Sequence, residues 1–258
     1  MASARPTKVA LGGVEVTRIG LGTNRLAHTP ENVAFVRQAV ETGIEHVDTA
    51  HLYVGGESET TIGEALAGGA GARPVVGTKG GFHDGRPGVL RDEIEQSLRR
   101  LGADRIELYY LHRVDPDVPL EQSLGAIAEQ RDAGKIGHVG ISEVSVDQIE
   151  RARRVVPIAA VQNHYNLSER RWDEVVDYCE AQRIPFVPYF PLRGVDGPQL
   201  AEIAERRGVA PRQVALAWLL DRSPVMLPIP GTLSIEHLRE NLAALEIELT
   251  DEERESLG

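Results

Sequence analysis

Short strand-like runs alternate with amphipathic helical stretches along almost the whole chain, and that alternation leaves few folds open. The runs fall at residues 18–22, 45–48, 74–79, 105–112, 136–142, 159–163, 185–189 and 225–229. Between them, apolar residues recur at helical spacing. Leu90, Ile94, Leu98 and Leu101 share one helix face, and Ile235, Leu238, Leu242 and Leu245 share another. Pro211 can open a further helix, because the first turn does not need its missing N–H. Strands that alternate with helices make a parallel sheet covered by helices. Eight such units predict an α/β fold of the closed (β/α)8 type, a TIM barrel, rather than an open doubly wound sheet. The length of 258 residues suits such a barrel, which typically needs about 250. No G-x-G-x-x-G follows the first run, where "GLGTNR" holds only two glycines, so a Rossmann domain is not indicated. Residues 8–17 predict an N-terminal β-hairpin turning at Gly12-Gly13. No break in composition divides the chain, so residues 1–258 read as one domain.

Composition narrows the function. Acidic residues outnumber basic ones, 39 to 28, for a net charge of −11. That surface disfavours nucleic acid and anionic membranes as partners. No run approaches the ~18 apolar residues of a membrane span. The N-terminus lacks the apolar stretch of a signal peptide, so a cytoplasmic protein is expected. The one cysteine, Cys179, shares a helix face with Trp172, Val175 and Val176 and is expected to be a buried thiol. No Cys/His cluster has zinc spacing, and no metal is expected.

Four of the residues at or just beyond the strand-like runs carry complementary chemistry. Asp48 closes "EHVDTA", Tyr53 follows five residues later, Lys79 closes "PVVGTK" and His112 closes "IELYYLH". In an α/β barrel the C-terminal strand ends converge on the active site. A free tyrosine has a pKa near 10 and is a sluggish acid at neutral pH. A nearby ammonium lowers that pKa, and a carboxylate can hold the ammonium charged and in place. The set predicts that Tyr53 donates a proton to a carbonyl oxygen, Lys79 and Asp48 tune it, and His112 orients the carbonyl. Taken singly, each residue has an ordinary structural explanation; the joint arrangement carries the expectation.

These residues resemble the Asp, Tyr, Lys, His set of the aldo-keto reductases. "VDTAHLYVGGESETTIGEAL" is similar to that family's D-T-A-x-x-Y-G-x-x-E-x-x-x-G segment, and "GTKGG" to its lysine strand. "YYLHRVDPDVPLEQSL", "AGKIGHVGISE", "VQNHYNL", "PYFPL" and "LPIPGTLSIEHLRENLAAL" follow in the family's order, so the resemblance covers nearly the whole chain. A bacterial subgroup that includes pyridoxal reductases looks nearest. The resemblance implies a monomeric enzyme that reduces small aldehydes and ketones with NADPH, NADH remaining open. It also implies a binding path for the dinucleotide. Gly22, Thr23, Asn24 and Asp48 would lie near the nicotinamide ribose, and Ser142, Glu143 and Gln162 near the carboxamide. Tyr189 would stack on the nicotinamide ring. Phe190, Pro191, Leu192 and Arg193 would follow the pyrophosphate. Ile229, Gly231, Thr232, His237 and Arg239 would lie towards the adenosine phosphate, and Glu240 and Asn241 at the adenine. Leu26, His51, Phe82 and His83 sit just past strand ends and could line the substrate mouth.

Three departures from the family's pattern stand out. Glu143 replaces a frequent asparagine, so an amide donor is lost and a charge needs a partner. Gly231, Thr232 and His237 stand where many members carry Lys, Ser and Arg against the 2′-phosphate, which leaves the N-terminus of the last long helix to attract the anion. The segments after "PYFPL" and after the last helix are short, which predicts an open site and loose substrate selection. Other readings of the same residues are an NAD-linked alcohol or sugar dehydrogenase, a non-catalytic nucleotide-sensing subunit, and a barrel enzyme using Lys79 as a Schiff-base nucleophile. The last needs a neutral lysine, which a paired Asp48 disfavours.

Overall fold

The computed structural model describes residues 5–68 and 73–258. Strands β1 (Lys8–Leu11) and β2 (Val14–Thr17) pair antiparallel, Lys8 opposite Thr17 and Leu11 opposite Val14. Their two-residue turn needs left-handed backbone at both positions, and Gly12 and Gly13 supply it with φ of 59° and 79°. Six parallel strands follow, each beside its predecessor: β3 (Leu21–Gly22), β4 (His46–Asp48), β5 (Val75–Gly80), β6 (Ile106–Leu111), β7 (Ile136–Ser142) and β8 (Ile158–Gln162). Helices separate them: α1 (Pro30–Glu41), α2 (Glu57–Leu66), α3 (Pro87–Leu101), α4 (Leu120–Asp132) and α5 (Val146–Arg153). After β8 come α6 (Asp173–Gln182), α7 (Pro198–Arg207), α8 (Pro211–Arg222), α9 (Ile235–Ala243) and α10 (Asp251–Leu257). None of the described helices is long and apolar enough to cross a membrane.

The seventh and eighth predicted strands are not regular strands. Segments 185–189 and 225–231 are held by single bridges, Val161 with Phe186, Phe186 with Met226, and Gly22 with Gly231. The backbone still closes the circle. Val187 N donates to Val161 O at 2.7 Å, Leu227 N to Phe186 O at 2.9 Å, and Gly20 N to Pro228 O at 3.0 Å. The fold is therefore a TIM barrel with two sparsely bonded sides. The cause is proline: Pro185, Pro188, Pro228 and Pro230 have no N–H, so a continuous ladder cannot form. The first predicted strand is also regular only over its last two residues, and the others agree within one or two residues.

The barrel interior is filled by Val75, Leu108, Tyr110, Ala160, Val187 and Leu227. Leu11 and Val16 join that cluster, so the hairpin plugs the end where the strands begin. A second, larger core lies between strands and helices. Leu90, Ile94, Leu98 and Leu101 of α3 enter it as their spacing predicts. Of the stripe Ile235, Leu238, Leu242 and Leu245, only Leu238 is fully covered, while Ile235 and Leu242 of α9 and Leu245 just past it are half-buried. Each fully buried aliphatic side chain contributes about 1.5–3 kcal/mol, so α3 is anchored more firmly than α9. Cys179 is buried in the same core, and burial pushes its thiol up to about 12, far from a reactive thiolate.

Candidate active site

All parallel strands end on one side of the barrel, and polar residues collect there. Asp48 ends β4, Lys79 is the penultimate residue of β5, and His112 follows β6. Ser142 and Gln162 end β7 and β8. Tyr53 opens a short 3-10 turn, Tyr53–Gly56, just past β4. Arg100 of α3 braces that turn from outside. Its guanidinium donates to His51 O at 2.9 Å and pairs with the fully buried Glu59 at 3.2 Å. Gly56 lets the guanidinium pass, since a Cβ there would lie 2.2 Å from Arg100 Cζ.

Lys79 is the hub of the site. Its Nζ donates to Asp48 Oδ1 at 2.5 Å, to Thr49 O at 2.7 Å and to Tyr53 Oη at 3.4 Å. Gln162 Nε2 donates to the other Asp48 oxygen at 2.8 Å. Burial pulls the Lys79 pKa down, but Asp48 and then Tyr53 more than offset it, and the ammonium is held above its ordinary range. Tyr53 goes the other way from a simple expectation. Burial pushes its hydroxyl up, the Lys79 charge pulls it down, and burial prevails, so its pKa lies above the ordinary value of 10.0. The lowering expected from Lys79 is present but outweighed. Burial, helped by the charges of Lys79 and Arg113, drives His112 well below the ordinary 6.5, so its imidazole is neutral. The buried Nδ1 of His112 has no hydrogen-bond partner among the described residues.

A cleft of about 700 Å³ opens over these groups. Gly22, Thr23, Asn24, Asp48, Tyr53, His112, Ser142 and Gln162 line it, and Tyr189, Phe190, Pro191, Leu192 and Arg193 form one wall. Ile229 and Gly231 complete the rim. An adjoining recess of about 490 Å³ shares Gly22, Asn24 and Gly231 and extends to Thr232, Ser234 and His237 at the start of α9. Gly22 makes the close approach possible, because a Cβ there would lie 2.6 Å from Ile229 O. His164 stacks on Tyr189 at 5.2 Å and 14°. Asn241, nearly fully buried, has an Oδ1 without a partner among the described residues. Asn241 borders neither the cleft nor the recess. An elongated cavity with an aromatic wall, a hydroxyl and an amide fits a nicotinamide dinucleotide.

Several residues expected in the site lie elsewhere. Leu26 is fully buried in the main core and borders the adjoining recess, not the cleft over Tyr53. His51 turns to α3, its Nε2 3.2 Å from Gln96 Oε1. Glu143, with φ of 54°, points its carboxylate to His164 N at 2.5 Å and to Arg171 at 3.2 Å, so the partner its charge requires is Arg171. Glu240 pairs with Arg212 at 3.3 Å. Arg239 is exposed on α9 and borders neither the cleft nor the recess. The Thr232 hydroxyl accepts from Ser234 N at 3.0 Å, and Ser234 Oγ caps His237 N, so part of the helix terminus is already satisfied. Phe82 does border the cleft, edge-on to His112 at 4.8 Å, while His83 packs behind Phe82. Arg25, Leu52 and Arg113 line the cleft without having been singled out. Each directly adjoins a motif residue (Asn24, Tyr53 or His112), and that adjacency was the available signal.

Barrel, strand-end residues and cleft together fit an oxidoreductase, and comparison with known proteins agrees. Residues 18–195 and 196–257 match the model of the Aldo/keto reductase family, and the chain belongs to that family. It is 38% identical over 266 residues to an uncharacterized oxidoreductase of Schizosaccharomyces pombe, covering 95% of this chain and 86% of the relative. It is 35% identical to the pyridoxine 4-dehydrogenase of Escherichia coli, covering 94% of each. Among solved structures, an aldo-keto reductase from Klebsiella pneumoniae in complex with NADPH superposes with a TM-score of 0.89 at 30% identity, covering 97% of this chain and 93% of that one. A thermostable aldo-keto reductase in complex with the inhibitor epalrestat gives 0.89 at 33% identity, with 97% and 98% covered.

Proposed function

We propose that the protein reduces aldehyde or ketone carbonyls to alcohols with NADPH. The observation that carries this reading is the Tyr53 hydroxyl within 3.4 Å of an ammonium that a buried carboxylate fixes at 2.5 Å, at the floor of the cleft. The NADPH bound in the similar Klebsiella enzyme supports the cofactor. When bound, the nicotinamide supplies the hydride. Tyr53 gives its proton to the substrate oxygen, and the Lys79 ammonium stabilises the phenolate that remains. Asp48 keeps Lys79 charged, which disfavours the Schiff-base alternative. His112, neutral, donates a hydrogen bond to the carbonyl and orients it. Ser142 and Gln162 meet the carboxamide, and Tyr189 offers the face not covered by His164. The same reading takes the enzyme as a monomer, and as cytoplasmic in keeping with its single, buried thiol.

One observation keeps an NAD-linked dehydrogenase as the second reading. Thr232 is engaged with Ser234 and Arg239 lies off the recess, so Arg25 and His237 are the basic side chains lining the recess that could meet a 2′-phosphate. A hydrogen bond to a charged group contributes about 1.5–3 kcal/mol, enough for tenfold or more in affinity. Calorimetric titration is expected to show NADPH binding at least tenfold more tightly than NADH, with His237→Ala reducing the ratio. Equal affinities would shift the assignment to the NAD-linked enzyme.

A further inference from the structure

Arg113 stands in the cleft without a counter-charge. It follows His112 directly and lies between two aromatic rings, its Cζ 5.5 Å from the Phe82 centroid and 5.8 Å from that of Tyr189. One guanidinium nitrogen, Nη2, donates to Tyr189 Oη at 3.3 Å. The other, Nη1, is buried and has no partner among the described residues. No described carboxylate pairs with Arg113 within 4.0 Å, and the Glu143 carboxylate on the neighbouring loop is held by Arg171. Other covered arginines have acceptors: Arg5, Arg100, Arg207 and Arg222 each have an acidic partner, and the fully buried Arg18 donates to four backbone carbonyls. An arginine held by two rings, with a buried donor unused, is costly to keep unless something fills it. Its planar fork fits a carboxylate, with two donors meeting two oxygens.

We propose that Arg113 is the specificity-determining residue for an anionic substituent, and that the preferred substrates are carbonyl compounds carrying a carboxylate within a few bonds of the reacting carbon. This rests on the reductase reading and deepens it. The carbonyl lies against Tyr53 and His112, and the carboxylate reaches past His112 to Arg113, with Phe82 packing on the carbon chain between. The reaction is unchanged by this placement. The carbonyl carbon gains the hydride, the oxygen gains the Tyr53 proton, and the carboxylate keeps its charge throughout.

The test compares succinic semialdehyde with butyraldehyde, which has the same chain length and no charge, in the full-length enzyme with NADPH. The expected result is a kcat/KM ratio of roughly 10- to 100-fold in favour of the acid, since a charged hydrogen bond is lost without it. Arg113→Gln is expected to bring that ratio near 1, mainly through KM for the acid, and Arg113→Lys to leave an intermediate ratio because it keeps charge but not the fork. A wild-type ratio near 1, or an Arg113→Gln variant that keeps the wild-type ratio, would overturn the proposal. Calorimetric binding of succinate against 1,4-butanediol separates the two levels of the argument. Succinate binding that needs Arg113 in a protein that reduces neither aldehyde would uphold the anion site and sink the reductase reading. Succinate binding indifferent to Arg113 would sink the anion site alone.

Discussion

Replacing Tyr53 by phenylalanine is expected to cut kcat for carbonyl reduction by roughly 100- to 10,000-fold while NADPH binding survives. The change removes one oxygen and leaves the ring, its edge contact with His112 at 6.1 Å and the Lys79–Asp48 pair untouched. Steady-state kinetics with cofactor titration reads both halves. Retained turnover would take Tyr53 out of the acid role. The pH profile follows from the two shifts. Tyr53 is raised above 10.0, so the donating form persists as pH climbs towards that value and is lost only beyond it. His112 is lowered well below 6.5, so the neutral ring is present from mildly acidic pH upwards. Reduction is therefore expected to be nearly level between about pH 6.5 and pH 10, given the ordinary values from which the two groups depart. An acidic limb near neutrality would contradict the direction for His112, and an alkaline limb there the direction for Tyr53.

Lys79→Met is the second change with a large expected effect, and it acts on stability and rate together. Asp48 is 1% exposed, and without Lys79 its only remaining side-chain donor among the described residues is Gln162. Breaking a buried pair by removing one partner costs about 3–5 kcal/mol. The same change takes away the charge that draws the Tyr53 pKa down, so kcat should fall at least 100-fold. Adding Asp48→Asn is expected to recover much of the lost stability and none of the rate, which denaturant melts and initial rates would show. Full activity in Lys79→Met would mean that the ammonium does not govern Tyr53.

The sequence carried the order of the barrel and the convergence of four strand-end residues, because period and position along the chain are local properties. It did not carry the two proline-broken sides, although the prolines were visible; whether a segment joins a ladder depends on which N–H groups face a neighbour. Leu26 and His51 failed as cleft residues for a related reason. Being just past a strand end does not say which way a side chain turns: Leu26 went into the core beside the recess, and His51 to α3. Glu143 needed Arg171, a residue 28 positions away, to explain its charge. The direction of the Tyr53 shift was equally out of reach, since it depends on how burial compares with the Lys79 charge, and burial is not written in any motif.

The sparse backbone bonding of segments 185–189 and 225–231 has a consequence for how this barrel breathes. These two segments carry Tyr189, Ile229 and Gly231, so the least clasped part of the hoop is also the part that faces the cleft. A long ligand lying across both segments ties them together from the open side, supplying contacts that the prolines deny to the backbone. Ligand-free protein should therefore open locally here before it opens anywhere else in the barrel, and saturating NADPH should close it. Amide exchange at Val187, Tyr189 and Leu227 is expected to slow on NADPH addition far more than at Val139 or Ile141 in the fully laddered β7. Uniform slowing across the barrel would mean that the seam has no separate life of its own.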